Sequence, residues 1–488
     1  LIDELKVFKI PRAIVIITST IAMVIISWYR VLIAGTIMVD GHGLHGWPEA
    51  LVFISFILSL GFFSVAYYRL WANRELCLSD IKPLAFVLIG IFSFMLPMLS
   101  NDIFSYMVFG DAANKGADVY TNTQCMHVSS YFSYITRAWA SSTCAYGPVI
   151  LLLAMTAAWM GAGKIVLTLV TYKILVLLTA FVFVELAARV SLLMQAPVRC
   201  FTFIVLNPVF LLQGVGQLHA DLIAITFTLA GIYFLFSNKW YLSFVMVALA
   251  IATKMNYVLI LPFFLMGLWL QGQQRAGLFG RAASGLLILV VSLIAAYAPF
   301  YTSAETITTP FKFHFSQNPS KCIGEVLSYI IYFAPQIITG HPDRLKDTVN
   351  VTSGPDTQVY IAKIIVKICQ VFALLSSLYI LVKYLVGEQS LKQWFRVYVR
   401  TLLLFLLYYM HIFNPWYLMM LLPFMWVDDE PVFMQWLFVL TCFISVQDIV
   451  CTVSRNSLIY EGVLGLTFIS VMLYMYKPMR MFFTSLGY

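Results

Sequence analysis

The run from Ala13 to Tyr29, AIVIITSTIAMVIISWY, carries no charge and is apolar at most positions. Comparable runs follow one another almost without pause along the 488-residue chain. Runs of about 20 residues can cross about 30 Å of hydrocarbon as helices. In lipid the backbone must satisfy its own hydrogen bonds, which leaves helices or a closed barrel. Barrel strands would alternate in segments of about ten residues. These runs are continuous instead, so the sequence predicts an all-α polytopic membrane protein, 1–488 forming one integral-membrane domain. Composition agrees: 61% of residues are hydrophobic and 11% charged, with a mean hydropathy of +0.89. A soluble domain carries about 25% charged residues, so a water-soluble enzyme is excluded.

The net charge of +8 does not form a contiguous basic stripe, and no nucleic-acid partner is expected. Short Lys/Arg clusters sit between apolar runs, as the positive-inside rule requires of cytoplasmic loops. Most of the eight cysteines fall in apolar runs, where a thiol behaves as a small hydrophobe. Cys125 and Cys144 share a polar loop and either pair, if it faces an oxidising compartment, or stand as separate thiols. The first apolar run leads to Arg30 and further apolar residues, with no pattern for signal cleavage.

Lys6, Lys9 and Arg12 place the start of the chain in the cytoplasm. Span one exits near Asp40, and span two (about 49–68) returns to Arg69, Arg74 and Lys82. Span three (about 83–99) then delivers Asn101-Asp102 to the far side, opening an external loop over 100–147 with an interfacial helix. The run 148–160 is short and reads as re-entrant; after Lys164 a full-length span ends at Arg189 and Arg199, which keeps both arginines cytoplasmic. Spans then alternate at about 200–215, 221–236, 240–253, 257–270 and 282–300. A second external region, 301–357, contains a possible shallow helix at 323–338. Later spans fall at about 358–386, 398–413, 416–427, 432–450 and 456–475. The expected total is about fourteen spans, within two. No polar gap is long enough for an independent soluble core, so function must reside in the external loops and outer span ends.

Four polar constellations map to one membrane face. Asn101-Asp102 follows span three, and Asp102 is either a helix N-cap or a reactive carboxylate, roles that can coexist. Gln217-Leu218-His219-Ala220-Asp221 brings an imidazole and a carboxylate to the outer junction of two spans, with Asn207-Pro208 upstream. No further ligands lie at metal-binding spacing, so no metal site is expected. Lys254, in Thr253-Lys254-Met255-Asn256, is a cation against the positive-inside trend. Its natural partner is an anion such as a lipid phosphate, against snorkelling to nonspecific headgroups. His411-Ile412-Phe413-Asn414-Pro415-Trp416-Tyr417 joins two short spans, and Tyr146-Gly147-Pro148 sets a rigid turn before the re-entrant run. Lys173 lies near mid-depth of its span, where an ion pair within the bundle is the default expectation.

In order, NDIFSY…G…VY, YGP, NP…HAD, TK and NPWYL…LP resemble the bacterial polyprenyl-phosphomannose-dependent mannosyltransferases of the GT-C superfamily. The resemblance runs from about Ser100 to Pro423, with Val119 where the family often has Pro and Ala220 where it often has Asn. It implies a GT-C-like bundle of about 12–14 transmembrane helices with external interfacial helices in a bacterial inner membrane, the active site facing the periplasm or exterior. It also implies a polyprenyl-phosphate sugar donor, mannose favoured, and a glycan or glycolipid acceptor. An acceptor hydroxyl would displace the lipid phosphate with inversion. Asp102 would take the hydroxyl proton as general base, with Lys254 and His219 at the donor phosphate. Asp221, Asn101, Tyr146, Gln217, His411, Asn414 and Trp416 would contact substrate, Trp416 by stacking on a sugar face. A lipid monophosphate leaving group carries less charge than a nucleotide diphosphate, so no metal or other cofactor is expected. The main rival is a transporter or flippase of a lipid-linked or polar solute. That plan wants polar groups at the bilayer midplane on broken helices, whereas most polar groups here map to outer span ends. A noncatalytic scaffold would leave the one-sided Asp, His and Lys unused.

Overall fold

A computed structural model describes residues 2–34, 47–135, 140–272, 278–316, 356–387, 389–410, 414–427 and 431–453. Among these residues every regular element is helical. In chain order they are α1 (Ile2–Ala34), α2 (Trp47–Trp71), α3 (Leu78–Phe92), α4 (Asp102–Asn114) and α5 (Pro148–Gly161). Then come α6 (Ile165–Leu193), α7 (Val198–Val205), α8 (Asp221–Phe236), α9 (Trp240–Thr253) and α10 (Leu261–Gly272). Last are α11 (Leu278–Tyr297), α12 (Glu305–Ser316), α13 (Asp356–Val386), α14 (Leu391–Leu404) and α15 (Pro431–Val453). The protein is an all-α polytopic membrane protein, with six described segments long and apolar enough to cross a bilayer by themselves. The possible helix at 323–338, the span at 456–475 and His411 lie outside the described residues.

Burial sorts the helices into an inner and an outer set. The segment Val198–Gly216 is 89% buried, whereas Phe279–Phe300 is 17% and Lys363–Val386 is 22%. The last two therefore turn most of their apolar surface to lipid, as Phe279, Leu287, Ile294 and Leu375 show. At the centre, α8 is buried on nearly every side and packs on α6, α9 and the stretch Pro415–Phe424. Pro415 is a good first residue for that stretch, and Pro423 closes it. It winds as a tight 3-10 helix instead of the α-helical span expected at 416–427. At about 2 Å per residue, its ten residues gain the length an α-helix would need 13 for.

Two further differences from the sequence reading position the site. Span three does not run helically to residue 99: α3 stops at Phe92, and Ser93–Ser100 is unwound up to Asn101. The local reason is visible at Pro97, whose ring restricts the preceding residue and whose nitrogen cannot donate. The interfacial helix expected after it is α4, but its residues Phe104, Tyr106, Val108, Phe109 and Ala112 are all buried by protein. It packs against α5, with Gly110 at the closest approach, where a Cβ would stand 2.4 Å from the Ala154 carbonyl carbon.

Candidate active site

Asp102 is the first residue of α4, with Asn101 at the N-cap position, and there the helix dipole favours a negative charge. Its Oδ2 accepts a hydrogen bond from the Tyr146 hydroxyl at 3.2 Å and lies 3.5 Å from Nδ1 of His219. The Asp102 side chain is 26% exposed, while His219 is fully buried. The carboxylate is thus the member of this pair that a substrate can reach.

The unusual backbone before α8 aims His219. Pro208 ends α7, the chain widens into a π-helical turn over Val209–Gly216, and Leu218 adopts φ = 64°. A left-handed leucine is uncommon and costs roughly 1–2 kcal/mol. Such strain persists only where surrounding packing enforces it. Here it turns His219 back towards Asp102 and lets Asp221 begin α8. The imidazole stacks on Trp416, ring centroids 3.8 Å apart at 21°, so one face of the indole is already covered.

Lys254 caps the C-terminus of α9 in extended conformation, where a cation complements the dipole. Its Nζ is 2.7 Å from Asp221 Oδ2 and 4.4 Å from the Tyr417 ring centroid. Tyr257 donates to Asp221 Oδ1 at 3.4 Å, so this buried pair is hydrogen-bonded as well as charged. The Gly147 N–H donates to Thr253 O at 3.0 Å, which sets Tyr146 beside Lys254. Only glycine fits there: a Cβ at Gly147 would stand 2.1 Å from Ala252 O.

Burial pushes the Asp102 carboxyl up. The His219 imidazole, the Lys254 ammonium and the Tyr146 hydroxyl outweigh it and hold the group below the usual carboxylate value. The carboxylate is ionised over the physiological range, as a proton acceptor must be.

Asp102, Tyr146, His219, Asp221, Lys254 and Trp416 therefore meet in one cluster. Asn101 stands next to it at the N-cap position of α4, and Asn414 hydrogen-bonds Tyr417 at its rim. Gln217 points away: its Oε1 accepts the N–H groups of Met98 and Leu99. Asn207 also lies elsewhere, holding the Val209 N–H at 3.0 Å. Lys173 makes no ion pair among the described residues; its ammonium binds the carbonyls of Ser93 and Met95. Cys125 and Cys144 are free and buried, and burial pushes their thiols up to about 11 and about 12. No three His, Cys, Asp or Glu side chains among the described residues group so as to hold a metal ion.

Sequence reading missed four tyrosines. Tyr106 meets Tyr146 edge-on at 4.6 Å, and Tyr172 lies 5.8 Å from Tyr106, its buried hydroxyl without a hydrogen-bond partner among the described residues. Tyr257 and Tyr417 flank the Asp221–Lys254 pair. Their only signal was position: Tyr106 and Tyr417 sit in the quoted motifs, while Tyr172 and Tyr257 read as ordinary apolar-span residues.

A family model described as alpha-(1->6)-mannopyranosyltransferase, N-terminal domain, matches residues 12–271. An alpha-(1->6)-mannopyranosyltransferase A of Corynebacterium glutamicum is 24% identical over 174 residues, 35% of this chain and 35% of that protein. Its namesake in Mycobacterium tuberculosis is 24% identical over 207 residues, 41% of this chain and 40% of that protein. The aligned stretches thus span well under half the length of these relatives. The family match covers Asp102, Tyr146, His219, Asp221 and Lys254; Asn414 and Trp416 lie beyond it.

Proposed function

Because the chain belongs to the alpha-(1->6)-mannopyranosyltransferase family, we propose that it transfers mannose from a polyprenyl-phosphate donor to a glycan or glycolipid hydroxyl. The reaction takes place at the non-cytoplasmic face of a bacterial inner membrane, where the donor's lipid tail stays in the bilayer. The observation that carries this reading is the convergence on Asp102. One ionised, partly open carboxylate is held by Tyr146 and His219, next to a buried ammonium.

In this mechanism the acceptor oxygen attacks the anomeric carbon as the bond from that carbon to the phosphate oxygen breaks. Inversion follows from attack opposite the leaving group. The acceptor proton passes to Asp102, and the electron pair of the broken bond leaves with the lipid phosphate. A sugar hydroxyl is a poor nucleophile, and a positioned base contributes about 10²–10⁴ in rate. The departing phosphate gains charge, which Lys254 stabilises as a fixed cation in a site of low dielectric. The His219 Nδ1 lies 3.5 Å from Asp102 Oδ2, and its buried Nε2, without a hydrogen-bond partner among the described residues, serves the donor phosphate. No metal is needed in this scheme, because the lipid monophosphate is met by the protein's own cation.

Transport is less well supported. Lys173 was the polar group nearest mid-depth, and its ammonium is occupied by backbone carbonyls. The test is transfer of labelled mannose from polyprenyl-phosphate mannose to a mannan acceptor by purified protein. Asp102→Asn should lower kcat by about 10²–10⁴. Unimpaired transfer removes the base assignment, and donor movement across vesicles without product favours transport.

A further inference from the structure

Unwound backbone at membrane depth survives only where protein groups satisfy it. In the stretch Ser93–Ser100, which leads into Asp102, the N–H groups of Ser93, Phe94 and Met95 still bond to carbonyls of α3, while those of Leu96, Met98 and Leu99 and the carbonyls of Ser93, Phe94 and Met95 are held by side chains from elsewhere. Lys173 of α6 donates to Ser93 O and Met95 O. Trp28 of α1 donates through Nε1 to Phe94 O at 2.8 Å, and Ser27 Oγ accepts the Leu96 N–H at 3.1 Å. Gln217 Oε1 accepts the N–H groups of Met98 and Leu99 at 2.9 and 2.8 Å, while its Nε2 faces Met95 Sδ at 3.4 Å. Pro97 has no N–H to place.

The grip has a geometric consequence. Gln217 and His219 belong to the same turn, and they hold the tether and its cargo respectively. The strained Leu218 lies between them. The Asp102–His219 separation is therefore set by one short element that binds both the segment before Asp102 and Asp102 itself. Lys173 fixes the far end of the tether from α6, where its half-buried ammonium donates to two backbone oxygens.

We propose that Gln217 and Lys173 are positioning residues for the carboxylate of Asp102. They clamp the unwound tether so that the carboxylate meets Tyr146, His219 and substrate in register. This rests on the assignment of Asp102 as base.

The test uses full-length purified enzyme in detergent, with kcat, donor KM and the pH profile measured for each variant. A misplacement of about 1 Å can cost about 10²-fold in rate. Gln217→Leu and Lys173→Met should each lower kcat about 10- to 100-fold, with donor KM within about two-fold of the parent. Gln217→Glu keeps an oxygen acceptor for both N–H groups and should retain kcat within about three-fold. The acid limb supplies a readout that general loss of fold does not move. Asp102 is faced by His219, Lys254, Tyr146, Tyr106 and Tyr172, and contact with the first three holds its carboxyl down. A slack tether weakens those contacts, so the limb moves to higher pH.

A rise in donor KM at unchanged kcat in Gln217→Leu would make Gln217 a substrate contact and overturn the proposal. So would activity falling only in step with the folded fraction, the acid limb unmoved. Ser27→Ala removes a single acceptor and serves if the larger changes prevent folding; it should shift the limb in the same direction, and an unmoved limb there counts against the clamp. Asp102→Asn assayed alongside separates the two failures. An active Asp102→Asn defeats the base assignment; an inactive one beside normal clamp variants defeats the clamp alone.

Discussion

Lys254 and Asp221 are 3% and 1% exposed, so each keeps the other from being an uncompensated buried charge. Removing one partner of such a pair costs about 3–5 kcal/mol. Lys254→Met is therefore expected to lower the thermal midpoint in detergent as well as donor use. The double change Lys254→Met with Asp221→Leu should recover the midpoint but not the transfer rate. Recovery of both would show that Lys254 serves stability alone. Tyr146→Phe takes one hydrogen bond from Asp102, whose carboxyl then rises towards its ordinary value. Contacts that depress this carboxyl stabilise the fold above its ordinary pKa, and that contribution fades as pH falls through the lowered value. The acid limb of kcat for Tyr146→Phe should accordingly move to higher pH, and an unchanged limb would remove Tyr146 from contact with the working carboxylate. At this scale Asp102, His219 and Lys254 were readable because each is a charge or imidazole where lipid-embedded sequence should have none. Tyr172 was not, and Gln217 was read as a substrate contact where it holds backbone, because a tyrosine or amide near a span end looks the same whether it faces substrate, backbone or lipid.

Helices α5 and α9 meet at a single hydrogen bond between Gly147 and Thr253, with no room for a methyl group. Gly147→Ala should force the two apart, moving Tyr146 and Lys254 together. Overpacking of this kind costs about 1–3 kcal/mol, read as a lowered midpoint, and transfer should fall with it. Full activity in that variant would mean that the junction does not set the site. The apolar segments were legible from hydropathy, but helix type and helix ends were not. Within the apolar run from 83 to 99, Pro97 marked a weak point, but nothing placed the helix end five residues earlier, at Phe92. Unwinding there depends on donors and acceptors contributed by α1, α6 and the Gln217 turn, which are remote in sequence. Likewise the 3-10 winding of Pro415–Phe424 answers to the space left beside α8.

For the whole molecule, the alternation of basic clusters predicts that Cys77 and the loop holding Thr123 lie on opposite faces. Both positions are exposed, Cys77 at the α2–α3 turn. An impermeant maleimide added to intact spheroplasts should label Thr123→Cys and spare Cys77 until the membrane is opened. The reverse pattern would invert the topology and with it the proposed face of reaction. Buried Cys125 and Cys144 should stay unlabelled in the folded protein, their thiols being raised by burial. Dialysis against EDTA is expected to leave transfer unchanged, and loss restored by a divalent cation would show that the donor phosphate needs more than Lys254.

From sequence alone came the helical class, the membrane setting and the charged residues that stand out against the apolar runs, because each depends on local chemistry: hydropathy, charge placement and residue type. The tertiary structure decided which polar groups meet in one cluster, which merely hold backbone, and where a span gives up its helix. Those outcomes depend on contacts between segments remote in sequence, such as Met98 with Gln217, 119 positions apart. No local pattern encodes a partner that only folding brings within reach.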